Sequence, residues 1–268
     1  MKKLFRFYIQ SSKHVALAVT ALTAVTYAEF DLTPDLWVLA FVYLGTVVGY
    51  NFVKYSGFGN THHLSVTGNI IWLRIFTGAV FLALIFVAFK VPQIIYYYAV
   101  GFGVITMLYA IPLFSGKNMR MLKGWKIFVI SAVWAGVTVC FPLASNDLLL
   151  QPAGIIELIS RFVFVIALTI PFEIRDLKYD ENELGTLPQM MGVKESRSLG
   201  SGLLLAFITL QFVNPAIKDI ELSLTAFVSV ITLWAIWKAK EDQHEYYASF
   251  WVESIPIVWY ALILFNSL

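Results

Sequence analysis

Three carboxylates at the end of a long apolar run have the residue types and the spacing of a divalent-metal site. Glu173, Asp176 and Asp180 follow one another at i, i+3 and i+7, so in a continuous helix they lie on one face within about two turns. Mg²⁺ takes oxygen ligands, usually one or two carboxylates together with water and substrate phosphates. The spacing therefore favours a metal-bound phosphate or diphosphate. A helix end that is solvated by water explains the same three residues equally well.

The composition of the chain is that of a polytopic membrane protein. Of its 268 residues, 59% are hydrophobic and 13% are charged, whereas soluble domains carry about 25% charged residues. The single cysteine, Cys140, lies in an apolar run and has no partner for an intramolecular disulfide. Lys and Arg are spread among the loops without forming a basic patch, so nucleic acid is not expected as a partner.

Apolar runs of about 20 residues predict membrane-spanning helices. The chain has nine such runs, so we expect an all-α bundle of nine transmembrane helices that forms a single domain over residues 1–268. The first run follows Lys2, Lys3 and Arg6, as in a secretory signal, but a retained helix is expected because it supplies the ninth span. The nine runs are 14–30, 34–53, 69–89, 92–114, 125–145, 152–173, 198–214, 222–238 and 248–266.

The distribution of Lys and Arg predicts the orientation of the bundle. With the N-terminus in the cytoplasm, 16 of the 19 Lys and Arg residues fall on the cytoplasmic side. The opposite face then holds Lys90 and Lys218, while Arg161 lies within a span. The acidic segment therefore faces the cytoplasm, and the expected location is the cytoplasmic (inner) membrane.

A few ionisable residues lie within predicted spans, where a charge is costly and suggests a function. Glu157 and Arg161 are spaced i, i+4 and are interpreted as a structural pair that faces the bundle interior. Glu253 has no obvious partner in the sequence. A hydrogen-bonded neutral carboxyl and a site residue both remain open for it.

Two further motifs accompany the carboxylates. A Gly-Thr-Leu-Pro segment at 185–188 follows the acidic run, and a Tyr-Ala-Ile-Pro segment at 109–112 precedes a basic loop that holds Lys117, Arg120 and Lys123. Together with the acidic spacing and the nine spans, these motifs resemble the UbiA-type intramembrane prenyltransferases. The distance from the acids to the threonine is one residue shorter than in the family.

The resemblance implies transfer of an isoprenyl chain from a prenyl diphosphate to an aromatic or lipid acceptor in the bilayer. It also implies a Mg²⁺ site formed by Glu173, Asp176 and Asp180, in which Asp176 and Asp180 are the catalytic residues. The residues expected to bind the diphosphate are Asn51, Lys54, Lys117, Arg120 and Lys123.

The chain departs from the family at the end of the second span. The family has an N-D-x-x-D-x-x-x-D run there, whereas this chain keeps Asn51 and places Phe52, Tyr55 and Gly59 at the acidic positions. None of these three side chains provides a carboxylate. Two interpretations follow: either nearby cations such as Lys54 replace part of the metal charge, or the protein binds a lipid or quinone without turning it over.

Less specific explanations also exist for several of these residues. Bases in cytoplasmic loops mark topology whether or not they bind a ligand, and Tyr55 is typical of an interfacial anchor. His62 and His63 are adjacent and are interpreted as part of a solvated loop, with proton removal from an acceptor as the alternative. A small-solute transporter is less favoured, because no pair of helices has Gly or Pro interruptions at mid-membrane.

Overall fold

The apolar runs form helices close to the predicted bounds. The computed structural model describes residues 2–55, 70–111, 124–178 and 185–266. Within these ranges the chain forms eleven helices and no strand, which confirms the all-α prediction. The helices are α1 (Lys2–Gln10), α2 (Lys13–Glu29), α3 (Leu36–Tyr55), α4 (Ile70–Ala88), α5 (Gln93–Ala110), α6 (Trp125–Ala144), α7 (Pro152–Asp176), α8 (Leu187–Met191), α9 (Val193–Val213), α10 (Asp219–Lys238) and α11 (Tyr247–Asn266).

Eight of the described helices are long and apolar enough to cross a membrane, namely α3 to α7 and α9 to α11. This confirms an integral membrane protein. α2 has 17 residues and is almost entirely buried by its neighbours. The ninth span therefore stays a prediction, as does the side of the membrane on which the N-terminus lies.

Local sequence signals set several helix ends. The Asp35 carboxylate accepts the backbone N–H groups of Trp37 and Val38 at 2.8 and 3.3 Å, which caps the start of α3. Pro152 occupies the first position of α7, where its missing N–H has no partner to lose. Gly124, with φ of +75°, precedes α6. α6 and α11 each include a π-helical turn, at Gly136–Cys140 and Tyr247–Val252.

Neighbouring helices pack on one another around a closed ring. Its order is α2, α3, α5, α6, α7, α9, α10 and α11, and α11 returns to α2. α4 packs against α3 and exposes most of its large apolar side chains, as expected of a surface that faces lipid. The ring brings together the end of α3, the start of α6, the end of α7 and the start of α11. We call this face the acidic end and define it by Lys54, Lys126, Asp176 and Glu253.

A buried charged group lies in the first half of α7, away from the acidic end. The Arg161 guanidinium lies 2.8 Å from Glu157 Oε1 and 3.2 Å from Glu29 Oε2, and all three side chains are fully buried. Arg161 also donates to the carbonyl of Leu22 at 2.8 Å, and Gln211 donates to the second oxygen of Glu157 at 2.9 Å. The predicted structural pair of Glu157 and Arg161 is confirmed, and it extends to α2 and α9.

Candidate functional site

The last turn of α7 carries two of the three predicted carboxylates. Glu173 and Asp176 are both buried, with exposed fractions of 3% and 5%. Their i, i+3 spacing places them side by side on one face of α7. Both therefore contact the same cation of a neighbouring helix. Asp180 lies outside the described residues, so its place beside them stays a prediction.

A lysine of α6 lies between these two carboxylates. The ammonium of Lys126 is 3.1 Å from Glu173 Oε1 and 3.0 Å from Asp176 Oδ2, and its side chain is only 14% exposed. Charge-assisted hydrogen bonds are roughly twice as strong as those between neutral groups. From sequence, Lys126 is one of the 16 Lys and Arg residues on the predicted cytoplasmic side. Its position just inside an apolar run, where a charge is costly, was the signal for a specific role.

A second cation holds the other oxygen of Asp176. Arg175 donates to Asp176 Oδ1 from Nη2 at 2.7 Å and from Nε at 2.8 Å, while its guanidinium lies 5.3 Å from the centre of the Phe172 ring. Both oxygens of Asp176 therefore accept hydrogen bonds from cationic side chains. This carboxylate fixes the positions of Lys126 and Arg175 relative to each other.

Lys54, which was predicted to bind the diphosphate, reaches the same region from α3. Its ammonium donates to Ser12 Oγ at 3.0 Å and lies 5.6 Å from the centre of the Tyr50 ring. The Glu253 carboxylate of α11 attracts this ammonium, whereas the Arg175 guanidinium of α7 repels it. The sequence offered no partner for Glu253, and the fold brings it near two cations.

A tyrosine–tryptophan pair adds a polar contact that sequence reasoning missed. The indole N–H of Trp134 donates to the hydroxyl of Tyr50 at 2.7 Å, linking α6 to α3. Both residues occur in apolar runs rich in aromatic side chains, so nothing in the sequence distinguishes them. The contact sets the Tyr50 ring beside Lys54.

Asn51 and Tyr55, at the end of α3, join helices. The amide of Asn51 donates to the Ser11 carbonyl at 3.3 Å and to Thr77 Oγ1 at 2.9 Å, and the Tyr55 hydroxyl donates to the Gln10 carbonyl at 2.8 Å. Asn51 was predicted to bind the diphosphate. That role stays a prediction. In this arrangement its amide nitrogen ties α3 to α4 and to the junction of α1 and α2.

Several predicted residues cannot be placed, because they lie outside the described part of the chain. Their roles stay predictions. They are the predicted metal ligand Asp180, the basic loop residues Lys117, Arg120 and Lys123, and the histidines His62 and His63.

The Gly-Thr-Leu-Pro segment at 185–188 is buried and leads into α8. The Thr186 N–H donates to Gln189 Oε1 at 3.0 Å, which caps this short helix. A Cβ placed on Gly124 would lie 3.6 Å from the Gly185 carbonyl oxygen and 3.3 Å from Met190 Cε. The segment thus packs against the start of α6, next to Lys126.

The described donors do not form a magnesium site by themselves. Mg²⁺ binds oxygen at about 2.0–2.1 Å in a near-octahedral arrangement. In the described ranges no three His, Cys, Asp or Glu side chains converge, and one oxygen each of Glu173 and Asp176 already contacts the Lys126 ammonium. The Mg²⁺ expected at Glu173, Asp176 and Asp180 stays a prediction from the family resemblance. Lys126 and Arg175 both bring positive charge to the two described carboxylates.

Comparison with known proteins identifies the fold. No protein-family model matches the chain, and no curated protein matches its sequence. A solved structure of digeranylgeranylglyceryl phosphate synthase in membranes matches with a TM-score of 0.56 and 14% sequence identity, over 99% of this chain and 97% of that one. That protein is a UbiA-type intramembrane prenyltransferase. The predicted resemblance is therefore confirmed for the fold along nearly the whole chain.

Proposed function

We propose that the protein binds a prenyl diphosphate with its diphosphate group at the acidic end and transfers the isoprenyl chain to an aromatic or lipid acceptor. The observation that carries the proposal is that Lys126 of α6 and Arg175 of α7 both contact Asp176 in a membrane-protein fold. Lys54 of α3 lies within electrostatic range of Arg175. Three cations in a largely buried site suit an anionic headgroup attached to an apolar chain.

Fixed positive charge is what this reaction requires of the protein. In prenyl transfer the bond between the allylic carbon and the diphosphate oxygen breaks, the acceptor forms a new bond to that carbon, and the acceptor loses a proton. Negative charge grows on the departing diphosphate, and donors that are already in place stabilise it best in a water-poor site. We assign this role to Lys54, Lys126 and Arg175.

Asp176 acts in this proposal as a positioning residue. It holds Lys126 with one oxygen and Arg175 with the other, so its loss would let both cations move. The catalytic role predicted for Asp180 and the diphosphate contacts predicted for Lys117, Arg120 and Lys123 remain parts of the proposal. The same is true of the cytoplasmic position of the acidic end and of the inner membrane as the location. Mg²⁺ at Glu173, Asp176 and Asp180 stays a separate prediction from the family resemblance.

A second candidate function is a membrane protein that binds a prenyl lipid or quinone without reacting with it. Two observations favour it: no carboxylate stands at the acidic positions of the run after Asn51, and Glu173 and Asp176 are already paired with side-chain cations. A bundle of the same fold that lost turnover fits both.

Release of diphosphate separates the two candidates. Purified protein in lipid vesicles is incubated with labelled farnesyl or geranylgeranyl diphosphate and with aromatic or lipid acceptors. An enzyme releases diphosphate and forms a prenylated product. The Arg175→Gln variant is expected to slow release on the order of 100-fold, as loss of one preorganised donor does elsewhere.

Lys218→Gln is the matched control, because Lys218 pairs with Asp31 on the exposed surface and plays no part in the proposed site. It should leave the rate unchanged. Saturable binding of the prenyl diphosphate, with no diphosphate release for any acceptor, would favour the second candidate, a protein that binds without turnover. If the Arg175→Gln variant releases diphosphate at the wild-type rate, the acidic end takes no part in the reaction.

A further inference from the structure

Lys126 takes the position that a metal ion bridging Glu173 and Asp176 would need. Its ammonium lies 3.1 and 3.0 Å from one oxygen of each carboxylate, and the two acids are one turn apart on α7. A divalent ion that ligated the same two oxygens would have to approach to about 2.0–2.1 Å of each. The ammonium and the ion cannot both occupy that space.

The charges around Lys126 also disfavour an added divalent ion. Glu173 and Asp176 contribute two negative charges when ionised, and Lys126 and Arg175 contribute two positive charges. Mg²⁺ would add two more positive charges beside these two cations. A metal ion at the same two oxygens would displace Lys126, whose side chain is 14% exposed there, and would break both of its ion pairs.

A diphosphate brings the opposite charge and finds donors in place. Arg175 binds Asp176 through Nε and Nη2, and a guanidinium has five N–H groups arranged for planar oxygen acceptors. Lys54 lies within electrostatic range of Arg175, and the two cations repel each other in the absence of an anion. Side-chain cations therefore supply the charge that a metal ion would otherwise bring to the phosphate oxygens.

We propose that Lys126 replaces the divalent cation at this acidic cluster, so that the protein binds a lipid diphosphate without a metal ion. The statement about the ligand rests on the proposed function, whereas the statement about the cation depends only on the geometry of Lys126, Glu173 and Asp176. The two parts are tested separately.

Mn²⁺ binding, measured by electron paramagnetic resonance on the detergent-solubilised protein, tests the cation part without any prenyl ligand. The wild type should show no saturable Mn²⁺ site. Lys126→Gln removes the ammonium at similar side-chain length and should create a site at least about tenfold tighter than any in the wild type. Lys218→Gln, which removes a paired lysine outside the cluster, should not.

A wild-type Mn²⁺ site that Glu173→Gln or Asp176→Asn abolishes would overturn the proposal. The Lys126→Arg variant keeps a cation in place and should also bind no Mn²⁺. Because the wild type and Lys126→Arg are both informative, the test stands even if Lys126→Gln does not fold.

Binding of farnesyl diphosphate in excess EDTA and in excess Mg²⁺ tests the ligand part. The wild type and Lys126→Arg should bind equally in both buffers, to within about twofold. Lys126→Gln should bind well only with Mg²⁺. Wild-type binding that EDTA abolishes would refute metal-free recognition. No wild-type binding in either buffer would refute the proposed function, while the Mn²⁺ measurement still decides the role of Lys126.

Discussion

Replacing Arg161 with methionine tests how the buried charged group on α7 stabilises the bundle. The guanidinium contacts carboxylates on two helices, Glu29 on α2 and Glu157 on α7, and also donates to the backbone of α2 at Leu22. Methionine fills much of the same space but provides no positive charge. The substitution therefore leaves two carboxylates enclosed without a cation.

The expected loss of stability follows from which effect dominates. Hydrogen bonds between membrane helices contribute on average about 0.6 kcal/mol each, so the lost hydrogen bonds alone account for a modest change. Leaving a buried charge without its partner costs about 3–5 kcal/mol. At about 2–4 °C per kcal/mol for a chain of this size, we expect Arg161→Met to lower the unfolding temperature by on the order of 10 °C.

Thermal unfolding of the detergent-solubilised protein, followed by circular dichroism, measures this change. The triple variant Arg161→Met, Glu29→Gln, Glu157→Gln removes the carboxylates as well and should recover most of the loss, because replacing an entire buried ionic group is often nearly neutral. Lys218→Ala breaks an exposed pair with Asp31 and should leave the unfolding temperature unchanged.

The reasoning is wrong if the triple variant is less stable than Arg161→Met alone. In that case the hydrogen bonds of the carboxyl groups, such as that from Gln211 to Glu157, would matter more than their charge. It is also wrong if Arg161→Met unfolds at the wild-type temperature, since the carboxylates would then be stable without a cation.

Two other substitutions test packing and hydrogen bonding by the same thermal assay. A Cβ on Gly154 would overlap the backbone carbonyl oxygen of Leu148, which cannot rotate away, so Gly154→Ala should cost about 1–3 kcal/mol of stability. Gly202 faces open space, so Gly202→Ala should not lower the unfolding temperature. An equal loss in both variants would contradict the steric explanation. Tyr50→Phe leaves the indole N–H of Trp134 without its acceptor and should cost about 1–3 kcal/mol. The double variant Tyr50→Phe, Trp134→Phe should lose less stability than the sum of the two single variants. Strict additivity would show that the two side chains do not interact.

The helices were predictable from sequence because the hydrophobic effect acts on continuous apolar runs. The runs 125–145 and 248–266, for example, form α6 (Trp125–Ala144) and α11 (Tyr247–Asn266). The pairing of Glu157 with Arg161 was also predictable, since it depends only on the local geometry of one helix. The extension to Glu29 and Gln211 was not, because those contacts depend on which helices the fold makes neighbours.

The same distinction separates the predicted and the missed parts of the candidate site. The side-by-side arrangement of Glu173 and Asp176 follows from one helical turn and was predicted. Lys126 was one of the 16 Lys and Arg residues assigned to the cytoplasmic side and was given no specific role, because bases next to membrane spans are common for reasons of topology. Its contact with both acids depends on the packing of α6 against α7, and so does its effect on the predicted Mg²⁺ site.

The contact between Arg161 and Glu29 has a consequence for synthesis of the protein. The two residues are 132 positions apart, and chains grow at about 5–20 residues per second. α2 therefore leaves the ribosome on the order of ten seconds before its counter-ion exists. During that interval Glu29, at the last position of α2, has to be accommodated by interfacial water or by the insertion machinery. We expect α2 to dock into the bundle only after α7 has been inserted, so that a helix made early reaches its final place late.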